Sequence, residues 1–233
     1  MKLVTIPKKV PLSVFTPELI LAVPQVPTDI AESYIRQAAI DLVEQSHCLK
    51  REIEVATQAG VSDYQLEPGD GTHTDKISQV CDWLGRPYTV LPNRPCFPPC
   101  GIRCVDFCAP GTNGGLGTFA PMSPVVAWFI QPNEFHVNPC PEVDVDVGYR
   151  VTLSVIPDRD ACDLDELLYQ RYQPAIVAGA LAYLYEMPDK AWTNLALSVA
   201  KRKESNIKTA RALGDTMTGA KQGVHRMTTA RFV

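Results

Sequence analysis

The fold is decided by residues 163–214, which read DLDELLYQRYQPAIVAGALAYLYEMPDKAWTNLALSVAKRKESNIKTARALG. Asp163 is placed to cap a helix, because Glu166 follows three residues later as in a capping box. Apolar residues then recur at helical spacing. Pro174 lacks an N–H and predicts a kink rather than a stop, since good helix formers resume directly after it. This helix is expected to end at Met187-Pro188-Asp189.

A second, antiparallel helix is predicted after this turn. Asn194 offers a new cap, and four apolar residues recur at helical spacing as far as Gly214: Leu195, Val199, Ile207 and Ala210. A glycine inside a helix costs about 1 kcal/mol relative to alanine, so the glycine of the first helix needs a reason. We expect another helix to cross closely there, with packing through Ala178, Gly179, Ala182 and Trp192.

The N-terminal residues predict an arm followed by a third helix. Five prolines within residues 1–27 exclude a continuous helix, so this segment is expected to be extended and to lie on the protein's own body or on a neighbouring subunit. Thr28 then caps a helix that ends near Ser46. The predicted fold class is α+β: an antiparallel helical bundle of three main helices, residues 28–48 and 163–214, with a large β-rich insert, residues 49–162.

The insert shows the alternation of strands. Every odd position from 143 to 155 is apolar, which predicts a half-buried strand over residues 142–157 with a bend at Gly148. Residues 52–66 are expected to form a hairpin, and residues 76–91 two strands around Gly85-Arg86-Pro87. Residues 93–124 are rich in proline and glycine and predict a long irregular loop.

Four cysteines in this loop repeat at a spacing of four residues: Cys96, Cys100, Cys104 and Cys108. Thiolates in a tetrahedral set are the ligands that structural zinc prefers, so these residues are candidate metal ligands. Prolines between the first two cysteines exclude a helix, and the familiar C-x2-C knuckle is absent. Free thiols are therefore the default expectation, with disulfides and zinc as the alternatives.

Composition narrows the class of protein. The formal net charge is −4 and the pI is near 5.6, which argues against a protein that binds DNA through its phosphates and suits a wall that DNA slides past. No apolar run is long enough to span a bilayer, and no signal-peptide core is visible, so synthesis in the cytoplasm is expected. No nucleophile, base and orienting group can be named together, and we expect no enzyme and no cofactor.

Basic residues concentrate on the second helix of the hairpin: Lys201, Arg202, Lys203, Lys208 and Arg211. They either complement the helix dipole or form a surface for a partner. The tail, residues 215–233, has no periodicity and carries charged and apolar anchors near its end: Arg226, Met227, Arg231, Phe232 and Val233. Such a segment is expected to become ordered only on binding.

The stretch GALAYLYEMPDKAW, residues 179–192, followed by NIKTAR in a basic helix, resembles the head-to-tail adaptors of tailed bacteriophages, in particular the tail tubular protein A group. The resemblance implies a virion protein of the head–tail neck, assembled in the host cytoplasm, whose copies form a ring, a dodecamer, that continues the DNA channel. Its implied partners are the portal protein, a tail or nozzle protein, and passing DNA without sequence-specific binding; no membrane is involved. The basic helix and the tail would then face the portal.

Two alternatives to the adaptor function stay open from the sequence. One is another phage neck or tail component, such as a stopper. The other is a cytoplasmic metal-binding module or enzyme built on the cysteines from Cys96 to Cys108.

Overall fold

The chain divides into two units that differ in secondary structure. The computed structural model describes residues 8–69, 71–82, 84–91, 126–131 and 133–218. One unit comprises Met1–Cys48 with Cys162–Val233 and contains the helices; the other comprises Leu49–Ala161 and contains the large sheet. The fold is therefore mixed α+β, which confirms that part of the predicted fold class.

Most strands fall in one stretch of the chain, between two groups of helices. The four α-helices of the described residues are α1 (Thr16–Ala22), α2 (Thr28–Ser46), α3 (Glu166–Glu186) and α4 (Leu195–Met217). The described residues also form nine strands: β1 (Lys9–Pro11), β2 (Lys50–Thr57), β3 (Asp63–Gln65), β4 (Thr72–Asp82), β5 (Pro87–Leu91), β6 (Val126–Gln131), β7 (Glu134–Asn138), β8 (Val145–Pro157) and β9 (Asp163–Asp165). Within the described ranges, no helix has both the length and the hydropathy needed to cross a membrane.

The N-terminal region contains a helix, α1, where an extended arm was predicted. Pro17 lies in the first turn of α1, where its missing N–H removes no helical hydrogen bond, so this proline starts a helix instead of excluding one. Phe15 and Leu19 are fully buried, and the Phe15 ring packs edge-on against Tyr169 with 5.4 Å between ring centroids. The expectation of an extended arm is therefore wrong for this segment.

The start of α3 differs from the predicted cap. Asp165 is the N-cap, and its carboxylate accepts a hydrogen bond from the N–H of Leu167 at 2.9 Å. Asp163 lies in β9, which pairs antiparallel with β1. Both aspartates suit a cap by residue type, and the strand pairing decides between them. Pro174 lies inside α3, which continues past it as predicted.

α2, α3 and α4 pack against one another through small residues. A Cβ on Gly179 of α3 would lie 3.0 Å from the Ala38 Cβ of α2 and 3.2 Å from the Ser205 Oγ of α4. The Ser205 hydroxyl donates to the Ala175 carbonyl of α3 at 3.2 Å. Gly179 thus lies where three helices approach closely, and the helical unit has four α-helices where three main ones were predicted.

The large sheet has the strand order β2-β8-β4-β5-β6-β7-β3. β5 and β6 are parallel, and every other neighbouring pair is antiparallel. β8 lies between β2 and β4, and it buries Val151, Leu153 and Val155 completely. The alternation over residues 142–157 predicted this strand correctly, although the strand begins only at Val145.

The hairpin predicted for residues 52–66 is wrong. β2 pairs with β8, with Ile53 opposite Val151, and β3 pairs with β7. β8 is 13 residues long and has apolar side chains in register with those of β2, whereas β3 has 3 residues. Pairing with the longer strand buries more apolar surface, so the non-local partner wins.

β8 is irregular at Gly148. Val55 lies opposite Tyr149 and Thr57 opposite Val145, so β8 has more residues than β2 over this interval. A Cβ on Gly148 would lie 2.0 Å from Thr57 Cγ2, a separation that two carbon atoms do not tolerate. The register shift confirms the irregularity that the sequence predicted at this glycine.

The turn between β4 and β5 also follows the prediction. Gly85 has a φ of 80°, which favours glycine. The Asp82 carboxylate accepts the N–H groups of Leu84 at 2.9 Å and of Arg86 at 2.7 Å. Burial acts to raise the pKa of Asp82, but these hydrogen bonds and the Arg86 guanidinium hold it below its ordinary value.

Replacing Gly179 and Gly214 separately by alanine should change stability differently. Nothing lies within 4 Å of a Cβ on Gly214, so Gly214→Ala should stabilise the fold by about 1 kcal/mol through helix propensity. At Gly179 the new methyl meets Ala38 and Ser205, which offsets that gain, and Gly179→Leu should destabilise by about 1–3 kcal/mol. Urea unfolding followed by circular dichroism compares the variants. A Gly179→Leu protein as stable as the wild type would contradict the close crossing.

Candidate interaction surface

α4 turns its small side chains toward the other helices. Its buried residues are Ser198, Thr209 and Ala212. The large apolar residues whose spacing predicted the helix are exposed instead: Leu195 to 66%, Val199 to 68% and Ile207 to 48%. Large side chains do not fit against the small-residue face of α3, because the helix axes approach too closely there.

A second periodicity in the sequence identifies the packing face of α4. Ser198, Ser205 and Ala212 recur every seven residues, which places them on one side of the helix. Sequence reasoning missed this face because it followed the apolar residues alone. The small residues of α3 were the available signal, since a close crossing needs small side chains on both helices.

Three of the basic residues predicted to form an interface make ion pairs within the helical unit. Lys201 Nζ lies 2.8 Å from Glu204 Oε2, and Lys208 Nζ lies 2.6 Å from Glu204 Oε1. Arg202 lies 2.5 Å from Glu186 of α3. These cations lie in the middle of α4, and the last turn of the helix has no basic residue, so a helix-dipole role does not explain the cluster.

Glu204 is the centre of this cluster. Hydrogen bonds from Lys201 and Lys208 lower the pKa of Glu204 to about 2, so the carboxylate stays ionised at every physiological pH. Lys208 Nζ also donates to the Pro174 carbonyl of α3 at 3.1 Å. The Glu204 carboxylate therefore links the two lysines along α4, and Lys208 in addition connects α4 to α3.

Two basic residues of α4 point away from these pairs. Lys203 and Arg211 are exposed, and neither makes an ion pair with any residue that the structure describes. Of the proposed portal contacts on α4, Arg211 is thus the one whose charge is not already used within the unit. The other predicted contacts, residues 226–233, lie outside the described residues.

A groove of about 260 Å³ lies where α2, α3 and α4 meet. The Tyr183 hydroxyl at its edge donates to the Asp41 carboxylate, which also accepts from Gln37 Nε2 at 2.8 Å. The Arg202 guanidinium lies 5.3 Å from the centre of the Tyr183 ring, within cation–π distance. The groove is therefore lined by polar groups that hold one another in place.

The groove offers hydrogen bonds and charge rather than a reaction. Burial, and then the hydrogen bond to Asp41, raise the pKa of Tyr183 to about 12, so this hydroxyl stays protonated and acts as a donor. The Ser205 hydroxyl in the lining donates to a backbone carbonyl. These residues do not combine a nucleophile with a base that activates it.

Metal binding is not supported by the residues that the structure describes. Outside the gap at residues 92–125 and the other undescribed positions, no three His, Cys, Asp or Glu side chains group as metal ligands. The candidate ligands Cys96, Cys100, Cys104 and Cys108 fall inside that gap.

Trp192, predicted to pack between the hairpin helices, is half-buried in their turn.

The described part of α4 thus offers salt bridges and helix contacts at the surface of the helical unit. The family model described as SU10 adaptor protein matches residues 17–229 of the chain. The match covers most of the chain, so the chain belongs to the SU10 adaptor protein family. No curated protein matches it.

Family membership makes the chain a phage structural adaptor protein, a virion component of the head–tail junction. Such an adaptor interacts with portal and tail components, and its family is typically non-enzymatic. The resemblance to head-to-tail adaptors is thereby confirmed at the level of the family. The narrower resemblance to the tail tubular protein A group stays a prediction.

Glu204→Gln should lower stability at neutral pH but not in acid. The pKa of Glu204 lies at about 2 in the folded chain and at 4.5 ordinarily, so its stabilisation is present above pH 4.5 and is lost as the pH falls through 2. Because the three side chains are 29–41% exposed, the effect at pH 7 should be only about 0.5–1 kcal/mol. Denaturant unfolding at several pH values measures it. Glu44→Gln, on the exposed side of α2, is the control. A pH-independent loss would contradict the ion-pair assignment.

Proposed function

We propose that the chain is a head-to-tail adaptor whose copies assemble into a ring that joins the portal to the tail and continues the DNA channel. The observation that carries this proposal is the SU10 adaptor match over residues 17–229, a range that includes all four helices from Pro17 onward and the whole sheet. This match favours the adaptor over the stopper and over a metal-binding module or enzyme.

The proposed channel needs a wall to which DNA does not adhere. The net charge of −4 supports such a role, because a wall with a large excess of Lys and Arg would hold the phosphates. DNA then passes without sequence-specific binding. A ring of this kind is a homo-oligomer, and the resemblance to phage adaptors supports a dodecamer located in the neck of the virion after assembly in the host cytoplasm.

We place the portal contact on the C-terminal tail. Lys201, Arg202 and Lys208 are occupied within the helical unit, where Arg202 pairs with Glu186 of α3 and Lys201 and Lys208 pair with Glu204 of α4. The tail residues Arg226, Met227, Arg231, Phe232 and Val233 then supply charge and apolar anchors for acidic and apolar sites of the portal. The loop 93–124 is proposed to contact the tail or nozzle protein.

Direct binding to portal rings tests the proposed function. The full chain, mixed with purified portal rings in the absence of other neck proteins, should co-sediment with them. An adaptor binds the portal itself, whereas a stopper binds only after an adaptor is in place. Failure to bind portal rings under any salt condition, with normal binding to an assembled portal–adaptor complex, would show the chain to be a stopper.

Deleting residues 226–233 should weaken portal attachment without unfolding the helical unit. The deletion removes the aromatic and Arg anchors, which are the usual centres of binding energy, and we expect the dissociation constant to rise by about tenfold or more. Circular dichroism checks the fold, and a chain with residues 226–233 replaced by Gly and Ser is the matched control for length. If the truncated chain joins heads to tails at normal yield, the tail is not the portal contact.

A further inference from the structure

Exposed apolar side chains of the helical unit concentrate on two helices. Among its described residues, every large apolar side chain that is exposed lies on α1 or α4: Ile20, Leu21, Leu195, Leu197, Val199, Ile207 and Met217. Leu21 is 86% exposed and Met217 is 77% exposed. A helix that packs only on its own unit shows the reverse pattern, with its apolar residues inward, so these residues indicate a surface that another molecule covers.

The exposed side of α4 has the spacing of a helix-packing seam. Its residues follow one another at alternating steps of four and three: Ala196, Ala200, Lys203, Ile207, Ala210, Gly214 and Met217, all exposed. Apolar or small residues repeating every 3.5 residues on average form the contact stripe of packed helices. We call this stripe, with the adjoining Val199 and Arg211, the outer face of α4.

The outer face of α4 is basic and does not complement itself. It carries Lys203 and Arg211, and the acid that adjoins it, Glu204, is already paired with Lys201 and Lys208. In an antiparallel pair of α4 helices centred on Ile207, Lys203 of one copy would lie opposite Arg211 of the other, since each is four residues from Ile207. A parallel pair would set each cation beside its own equivalent. Repulsion therefore disfavours a two-fold contact and favours one between two different faces.

A complementary face is present on α1. Glu18, Ile20 and Leu21 are exposed there, and we call these residues the α1 face. Residues 10–35 contain three acidic residues and no Lys or Arg, while Lys8, Lys9 and Arg36 flank this stretch, so Glu18 is the charge that the α1 face itself offers. Apolar residues beside an acid on one helix match apolar residues beside cations on the other.

We infer that the outer face of α4 binds the α1 face of a second copy of this chain. The inference rests on the proposed adaptor function and names the contact that builds its ring. A contact between two different faces leaves one of each free at the ends, so copies add head to tail until the rotation closes a ring. Ile207 and Leu21 are its apolar centre, and Lys203 and Glu18 are its charges.

Single substitutions on each face test the contact. Association of the full chain is measured by sedimentation velocity and native mass spectrometry, alone and on purified portal rings. Ile207→Glu and Leu21→Glu should each weaken copy–copy association by about tenfold or more, because each places a carboxylate in an apolar contact. Leu84→Glu is the control, since Leu84 is 54% exposed in the sheet unit and belongs to neither face. All three positions are exposed, so melting curves should match the wild type.

Mixing the two variants separates a head-to-tail contact from a two-fold one. The Ile207→Glu chain keeps its α1 face, and the Leu21→Glu chain keeps its outer face of α4. Together they should form a one-to-one dimer that does not grow, while each alone stays a monomer. A Leu21→Glu chain that dimerises alone would show that α4 pairs with α4 and would overturn the inference.

Exchanging the charges of Lys203 and Glu18 tests the electrostatic part of the inferred contact. Lys203→Glu should weaken association, and the double variant Lys203→Glu with Glu18→Lys should recover most of the loss, since the two charges are exchanged across the contact. No recovery, normal assembly of Ile207→Glu, or a wild-type chain that stays monomeric both alone and on portal rings would each overturn the inference.

Measuring portal binding beside self-association distinguishes a failure of this inference from a failure of the proposed function. A chain that assembles through α4 and α1 but does not bind portal rings retains the inferred contact and refutes the adaptor proposal. A chain that binds portal rings and assembles normally with Ile207→Glu retains the adaptor function and places the ring contact elsewhere.

Discussion

The close approach of α2, α3 and α4 at Gly179 constrains the rest of the helical unit. With only 3.0 Å from a Gly179 Cβ to Ala38 and 3.2 Å to Ser205, no side chain larger than hydrogen fits there without displacement. α4 must therefore present small residues to α3. Because a helix has limited circumference, its large apolar residues are turned to the opposite side, and the exposed surface of the unit follows from a packing requirement in its interior.

The same arrangement divides the charges of α4 by role. Cations beside the packing face meet the carboxylates of Glu186 and Glu204; the pairs with Glu204 lie within α4, and the Arg202–Glu186 pair connects α4 to α3. Cations on the opposite side, Lys203 and Arg211, meet no described carboxylate, so their charges are available to another molecule. Partly exposed pairs add little to stability, so their main effect is to specify which way α4 faces. Which cations of α4 are exposed to another molecule thus depends on the ion pairs that the other cations make within the helical unit.

How far the sequence predicts this molecule depends on whether a feature is local. Helices α2, α3 and α4, the strand β8 and the Gly85 turn follow from spacing and turn residues within a few positions, although the N-caps of α2 and α3 are Pro27 and Asp165 instead of the predicted Thr28 and Asp163. The pairing of β2 with β8 and of β1 with β9 joins residues about a hundred or more positions apart, and no local pattern specifies it. The pairs of Lys201 and Lys208 with Glu204 have helical spacing and can be read from the sequence, whereas the pairing of Arg202 depends on Glu186, a residue of another helix.

Two periodicities coexist on α4, which explains why the spacing of its large apolar residues does not identify the face that packs against the other helices. The small residues at 198, 205 and 212 pack within the helical unit, whereas Val199, Ile207 and Met217 stay exposed among the residues that the structure describes. Leaving such side chains in water forgoes about 1.5–3 kcal/mol for each that could be fully buried, a cost that a monomeric protein has no reason to keep. A subunit does have a reason, because the same burial then stabilises the assembly instead of the monomer. An amphipathic helix whose apolar side faces outward is therefore what the inferred contact between copies of the chain requires.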